Sequence, residues 1–228
     1  MSTSPLRQSA RTLRSIVRQA HKIAFGPAPR ATKDYATHLP ILVGMAQCFK
    51  IEKVLELGCG DFSSRTFLNT KIFPAVSVLK SLETDQGWLR KVSIDLKDDA
   101  RFEPHYIPTQ MAQGVERLDF NGFDLVFVDD STSAEERAQT IRIISQKQPM
   151  IPFIVIHDFE VSNYRDAAKS FKYRYTFRSF TPQTGVVWNE GSHELGTLKK
   201  IDRTIKTFCR QYEPDDIESW KAAFEKGI

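Results

Sequence analysis

The stretch Val54-Leu55-Glu56-Leu57-Gly58-Cys59-Gly60-Asp61-Phe62-Ser63-Ser64 decides how the rest of the chain is read. Its first half is a short apolar run of strand length. Its second half breaks at two glycines and then resumes with residues that can open a helix. Gly58 and Gly60 permit a tight strand-to-helix turn without Cβ clashes, so a ligand can lie directly against the backbone. The amides exposed where the next helix starts can hold a carboxylate or a phosphate.

Apolar runs and helix-like segments alternate outward from this turn. The runs fall at Lys53–Leu57, Ala75–Leu82, Phe102–Ile107, Phe123–Val128 and Ile151–Ile156. Between them lie amphipathic segments near Ser63–Asn69, Gln86–Asp95, Gln110–Arg117 and Ser133–Ser145, the last opened by a Ser133/Glu136 capping box. A further helix over Asn163–Phe171 leads to two closely spaced strands, Tyr173–Phe180 and Gly185–Trp188. Single helices between strands imply right-handed crossovers and a parallel sheet covered on both faces. The last two strands are too close for a crossover, so that edge is antiparallel. The expectation is a doubly wound, mostly parallel seven-stranded α/β sheet with an antiparallel edge hairpin. Its main domain covers residues 35–195, with an amphipathic helical tail over 196–228 packed on it and an arm over 1–34.

Charge sets the arm apart. The chain of 228 residues carries a formal net charge of +4, yet residues 1–33 hold seven basic residues and no acid, leaving 25 basic against 28 acidic residues in the body. A slightly acidic body argues against a nucleic-acid partner and for a small-molecule acceptor. The arm reads as a basic amphipathic helix, for packing or homodimer formation. Its alternatives are a lid, a membrane-surface anchor, a nucleic-acid contact or a mitochondrial presequence. No apolar run approaches the roughly 18 residues of a membrane span. Three dispersed cysteines, Cys48, Cys59 and Cys209, argue against a disulfide framework and fit a cytoplasmic location.

Two acids sharpen the reading of the glycine turn. Glu56 lies two residues before Gly58, where it can accept from the amino group of a methionine moiety. Glu83 ends the second strand 23 residues after Gly60, where an ionised carboxylate can accept both hydroxyls of a ribose. With these residues in view the sequence resembles the class I S-adenosylmethionine-dependent methyltransferases, with likeness to small-molecule O-methyltransferases. Glu56-x-Gly58-x-Gly60 is similar to their motif I. Ser81-Leu82-Glu83-Thr84-Asp85-x-x-Trp88 and Phe123-Asp124-Leu125-Val126-Phe127-Val128-Asp129 resemble their second- and fourth-strand motifs. The resemblance implies S-adenosylmethionine as cofactor, bound by Glu56, Gly58, Cys59, Gly60, Phe62, Ser63, Glu83, Thr84 and Asp129. Phe62 stands where the family often has a small residue. A nicotinamide-dependent dehydrogenase is the nearest rival, but it wants a third glycine where Ser63 stands.

Chemistry is expected at the ends of the fourth and fifth strands, where Asp129, Asp130, His157 and Asp158 gather. One reading makes His157 the general base, since its ordinary pKa near 6.5 suits proton removal. A second holds magnesium between Asp129 and Asp158, as the resemblance to metal-dependent O-methyltransferases implies. A third leaves the His-Asp pair structural. His38 reads as a capping or surface histidine, Tyr35, Phe62 and Trp88 as candidates for stacking, and Trp188 as core. Methylation of RNA or protein, and a non-catalytic adenosyl-binding module, remain as alternatives to a small-molecule acceptor.

Overall fold

The computed structural model describes residues 33–131, 133–147, 152–190 and 194–227. The basic arm, and with it the dimerisation-helix reading, lies outside them.

Seven strands form one sheet: β1 (Lys53–Leu57), β2 (Val78–Glu83), β3 (Phe102–Tyr106), β4 (Leu125–Val128), β5 (Phe153–Ile156), β6 (Tyr173–Phe177) and β7 (Thr184–Trp188). Their order is β3-β2-β1-β4-β5-β7-β6. All pairs from β3 to β5 are parallel, and β7 runs antiparallel to both β5 and β6. The helices are α1 (Leu39–Cys48), α2 (Ser63–Leu68), α3 (Gln86–Leu96), α4 (Met111–Glu116), α5 (Ala134–Gln146), α6 (Ser162–Ala167), α7 (Glu194–Phe208) and α8 (Ile217–Gly227), with short 3₁₀ turns before α1 and after α6.

The period-two alternation of the central strands builds two cores. Val54, Leu125, Phe127, Phe153 and Val155 face α1, α2, α7 and α8. Leu55, Leu57, Val126, Val128, Ile154 and Ile156 face the opposite layer, with Val115, Ile141, Ile144 and Tyr164. Strands buried on both faces need apolar residues at every position, and Leu125-Val126-Phe127-Val128 meets that demand. The expected architecture holds, with strand ends trimmed by one to three residues.

The tail is more than one amphipathic helix. Leu198, Ile201 and Ile205 of α7 are buried, as are Trp220, Ala223 and Phe224 of α8. Both helices pack on α1, whose residues Leu39 to Met45 are all buried. Gly44 is the close-approach point: a Cβ there would lie 2.6 Å from Ile201 and 2.8 Å from Phe224. The capping box at α5 is half formed. Ser133 Oγ accepts from the Glu136 amide at 3.5 Å, but the Glu136 carboxylate turns to Ser131 Oγ at 2.8 Å.

Because β2 and β4 flank β1, the crossovers leave β1 in opposite directions. The crevice at the carboxyl ends of β1 and β4 is the switch point where open α/β sheets take ligands.

Candidate active site

The glycine turn occupies that switch point. Gly58 adopts φ +86, a conformation costly for any residue with a Cβ. A Cβ there would lie 2.6 Å from the Asp129 carbonyl carbon and 2.8 Å from the Asp130 Cα. The Gly58 amide donates to Leu82 O at 2.9 Å, and the Asp129 amide donates to Leu57 O at 2.8 Å. The ends of β1, β2 and β4 are thus tied into one rim.

Glu83 lies on this rim beside the turn. Its Oε1 accepts from the Thr84 amide at 2.7 Å and the Asp85 amide at 2.8 Å, while Cys59 Sγ lies 3.8 Å from its Oε2. Burial raises the Glu83 pKa, and the surrounding amides pull it back. Thr84 is half-buried, and Trp88 clamps the loop by donating its indole N–H to Cys59 O at 2.6 Å. Lys91 covers the Trp88 ring at 4.2 Å. Phe62 and Trp88 are partly buried against core clusters, and of the three aromatics proposed for stacking Tyr35 is the exposed one.

Glu56, the expected partner of a ligand's amino group, lies under the turn. It is fully buried, and its Oε2 accepts from Ser64 Oγ at 2.7 Å and Ser81 Oγ at 2.5 Å. Ser64 Oγ in turn accepts from the Gly60 amide at 3.1 Å. Glu56 Oε2 therefore holds the loop from beneath, while its buried Oε1 has no partner among the described residues. Burial pushes its carboxyl up to about 7, against the hydroxyls of Ser63, Ser81 and Ser64. Buried Ser63 packs under the loop, where a Cβ on Gly60 would come within 3.1 Å of its Oγ.

At the ends of β4 and β5 the four expected residues meet around a fifth that the sequence reading missed. Arg137, on α5, places its Nη2 2.9 Å from Asp129 Oδ1 and its Nη1 2.8 Å from Asp158 Oδ2. Its Nε lies 3.7 Å from Asp130 Oδ1, and it donates to Ser131 O at 2.7 Å. Three carboxylates therefore share one buried guanidinium. Asp158 reaches it from a left-handed backbone, φ 55, which turns its side chain back toward α5. Such a conformation costs a non-glycine residue energy and is concentrated at functional sites.

The exposures sort these residues into two groups. Asp129 and Asp158 are partly open, with side chains 27% and 31% exposed. The His157 side chain is 4% exposed and that of Asp130 is 0% exposed. His157 is also spoken for at both nitrogens: Nδ1 faces Asp129 Oδ2 at 3.4 Å, and Nε2 lies 3.0 Å from Thr37 Oγ1. His157 and Asp130, both expected as catalytic candidates, are thus buried behind the more open Asp129 and Asp158. Burial alone would raise the Asp129 pKa, but His157, Arg137 and His38 bring it below the ordinary carboxylate range. Burial likewise opposes charge on His157, yet Asp129 and Asp158 raise its pKa. Burial lifts Asp130 to about 6 despite Arg137 and the Thr140 hydroxyl at 2.8 Å.

His38 is neither a surface residue nor a side-chain cap. It is 2% exposed, its ring 4.8 Å from Phe127 and 4.9 Å from His157. It sits at the N-cap position of α1 without a capping bond. Burial depresses its pKa to about 3, with His157 adding to the effect.

The donor set does not fit magnesium held between Asp129 and Asp158. The groups that gather with Asp129 are the imidazoles of His38 and His157, whereas magnesium prefers oxygen.

Neither a protein-family model nor a curated protein matches the chain. Solved structures do. A spermidine synthase in complex with the transition-state analogue AdoDATO aligns with a TM-score of 0.56 at 16% identity, over 84% of this chain and 72% of that one. The spermidine synthase from Thermotoga maritima aligns at 0.53 and 17%, with the same coverage. Human methyltransferase-like protein 13 in complex with SAH aligns at 0.52 and 12%, over 78% of this chain and 93% of that one. The chain has the Rossmann-like fold of the class I methyltransferases, with the seven-stranded order that defines it. Among the described residues no helix is long and apolar enough to cross a membrane.

Proposed function

We propose that the protein is an S-adenosylmethionine-dependent methyltransferase acting at oxygen on a small-molecule acceptor. One observation carries the reading: the glycine turn sits at the sheet's switch point, its Gly58 packed too closely on the Asp129 backbone for any Cβ, with the Glu83 carboxylate beside Cys59 of the same turn. Gly58, Cys59 and Gly60 offer backbone to the cofactor, and Glu83 with Thr84 offers acceptors to the ribose. Glu56 and Ser63 act from under the loop. When bound, S-adenosylmethionine supplies an electrophilic methyl group on a sulfonium. The slightly acidic body supports a small acceptor over a nucleic acid.

The chain's own part is alignment and proton removal. A hydroxyl becomes strongly acidic as its oxygen gains a methyl group, so a carboxylate that stays ionised is a sufficient acceptor. Asp129 is held ionised by Arg137 and His157 and is partly open. It takes the proton, and His157 behind it, tethered by Thr37, stabilises the pair. Asp158 orients the acceptor, while Asp130 anchors Arg137 from inside.

Calorimetry with S-adenosylmethionine, S-adenosylhomocysteine and NADH tests the cofactor. Binding of the adenosyl ligands and not of NADH is expected, and the opposite result ends the proposal. Release of S-adenosylhomocysteine across a panel of hydroxylated acceptors tests the reaction. Binding without turnover on any acceptor leaves a non-catalytic module. Turnover only on RNA or protein, falling steeply with salt, moves the reading to a polymer acceptor.

A further inference from the structure

His38 presents an anomaly that methyl transfer does not absorb. It is 2% exposed, and neither of its ring nitrogens has a hydrogen-bond partner among the described residues. Buried polar atoms are nearly always satisfied, so an imidazole with two unmet nitrogens requires an explanation. The nearest polar groups are the His157 ring, edge-on at 4.9 Å between centroids, and the Asp129 carboxylate. One donor atom from each of His38, Asp129 and His157 lies within 4.8 Å of the other two.

We propose that His38, Asp129 and His157 form a site for a divalent transition-metal ion, with two imidazoles and one carboxylate as protein ligands. The proposal does not require the methyl-transfer reading but shares Asp129 and His157 with it, so with a metal bound Asp129 serves as a ligand and not as the proton acceptor. Imidazole-rich sets of this kind select zinc, iron(II) or cobalt over magnesium and calcium. Donors about 2.1 Å from a metal can be at most roughly 4.2 Å apart. The observed spread thus requires only small side-chain rotations to close on an ion.

The surroundings have the features of an outer shell. Ligating imidazoles usually engage their second nitrogen elsewhere, which fixes the ring. His157 does so, its Nε2 3.0 Å from Thr37 Oγ1 while Nδ1 faces Asp129. Ligating carboxylates are themselves hydrogen-bonded, and Asp129 has Oδ1 on Arg137 while Oδ2 faces His157. Charge agrees as well. Asp129, Asp130 and Asp158 against the single Arg137 leave two negative charges, the complement of one divalent cation with neutral imidazoles. Asp158 Oδ1, 3.7 Å from His157 Nδ1, is positioned as a further ligand.

The test uses the full chain, stripped with chelator and titrated with cobalt(II) while its visible absorption is followed. One cobalt per chain is expected, with bands of nitrogen and oxygen coordination and no thiolate charge-transfer band from Cys59. Zinc should displace it, and excess magnesium should not. His38→Phe keeps the ring packing against Phe127 but removes both nitrogens. It should weaken cobalt binding at least about 10-fold while leaving the metal-free melting temperature unchanged or higher. Thr37→Val should weaken binding by roughly 10-fold through loss of its bond to His157, and His105→Ala, on β3, should not alter it. The proposal is overturned if the parent chain takes up no cobalt, if magnesium competes equally, or if His38→Phe and Thr37→Val both bind as the parent does.

Discussion

Replacing Arg137 by Met removes the one cation among three carboxylates and keeps most of the side-chain volume. The cost can be built from the parts. Asp129 and Asp158 are about three-tenths exposed and can turn toward water, so their loss is modest. Asp130 has no such escape: its side chain is fully buried. With Arg137 present its pKa is already about 6. Without the guanidinium it rises further, and at pH 7 the group takes a proton instead of remaining buried as an anion. Protonation caps this part of the penalty at about 1.4 kcal/mol, one further pH unit beyond what the parent protein already bears. Loss of the charged hydrogen bond to Ser131 O adds about 1.5–3 kcal/mol. The total, about 3–4 kcal/mol, agrees with the usual range for breaking a buried ion pair. For a domain of this size it corresponds to a fall in Tm of roughly 6–16 °C.

The pH dependence makes this more than a generic destabilisation. A carboxyl whose folded pKa lies above its unfolded value contributes stability that is complete below the unfolded pKa and lost as pH rises through the folded one. In Arg137→Met that upper limit moves from about 6 to higher pH, so the deficit relative to the parent is larger at pH 8 than at pH 5. Urea unfolding at both pH values, followed by circular dichroism, measures it. Adding Asp130→Asn, which keeps an acceptor for Thr140, should recover at least about 1 kcal/mol at pH 8. A deficit below about 1 kcal/mol that is the same at both pH values would refute the account of Arg137 as the holder of the cluster.

Three further outcomes are expected. Glu83→Ala should weaken S-adenosylhomocysteine binding by about 1.5–3 kcal/mol, roughly 10- to 150-fold in calorimetry; an unchanged affinity removes Glu83 from the ribose. Gly58→Ala should cost about 2–5 kcal/mol in thermal unfolding, from the left-handed backbone and the clash with Asp129; a variant as stable as the parent contradicts the tight β1–β4 junction. Glu56 has its folded pKa raised to about 7, so its contribution is complete below about 4.5 and lost as pH rises through 7. Glu56→Gln should remove on the order of 3 kcal/mol of that decline, and parallel pH–stability curves for the two proteins would reject the assignment.

The sheet was legible because local signals were strong and consistent: short apolar runs of strand length, single amphipathic segments between them, and a glycine turn after the first run. The cluster at β4 and β5 was half legible. Strand ends carry their polar residues in sequence, so Asp129, Asp130, His157 and Asp158 announced themselves. Their partners come from elsewhere in the chain. Arg137 looked like one charged residue among several on an amphipathic helix. Its spacing was the available signal, since Arg137, Ile141 and Ile144 fall at i, i+4 and i+7 and all are buried. A cation on an apolar stripe has to meet an anion inside. His38 and Thr37 gave no such sign, because their meeting with His157 depends on how α1 packs across the sheet. Glu56 was legible as part of the turn but its depth was not: alternation puts it on a buried face beside Ser81, its register partner on β2.

On the methyl-transfer reading the same charge count governs rate as well as binding. S-adenosylmethionine brings a positive sulfonium to the rim, and the sulfur becomes neutral as the methyl group leaves. Without Arg137, Asp129 and Asp158 would attract the sulfonium strongly, but they would stabilise the ground state more than a transition state in which that charge is dispersing. Arg137 neutralises part of this field while keeping Asp129 ionised and fixed in direction. The cluster then resists charge reorganisation during the reaction, which is how preorganised groups lower a barrier. Arg137→Met is accordingly expected to bind S-adenosylmethionine as tightly as the parent or more so, to bind neutral S-adenosylhomocysteine without that gain, and to turn over more slowly. Equal losses for both ligands would instead mean that Arg137 acts only by holding the rim in shape.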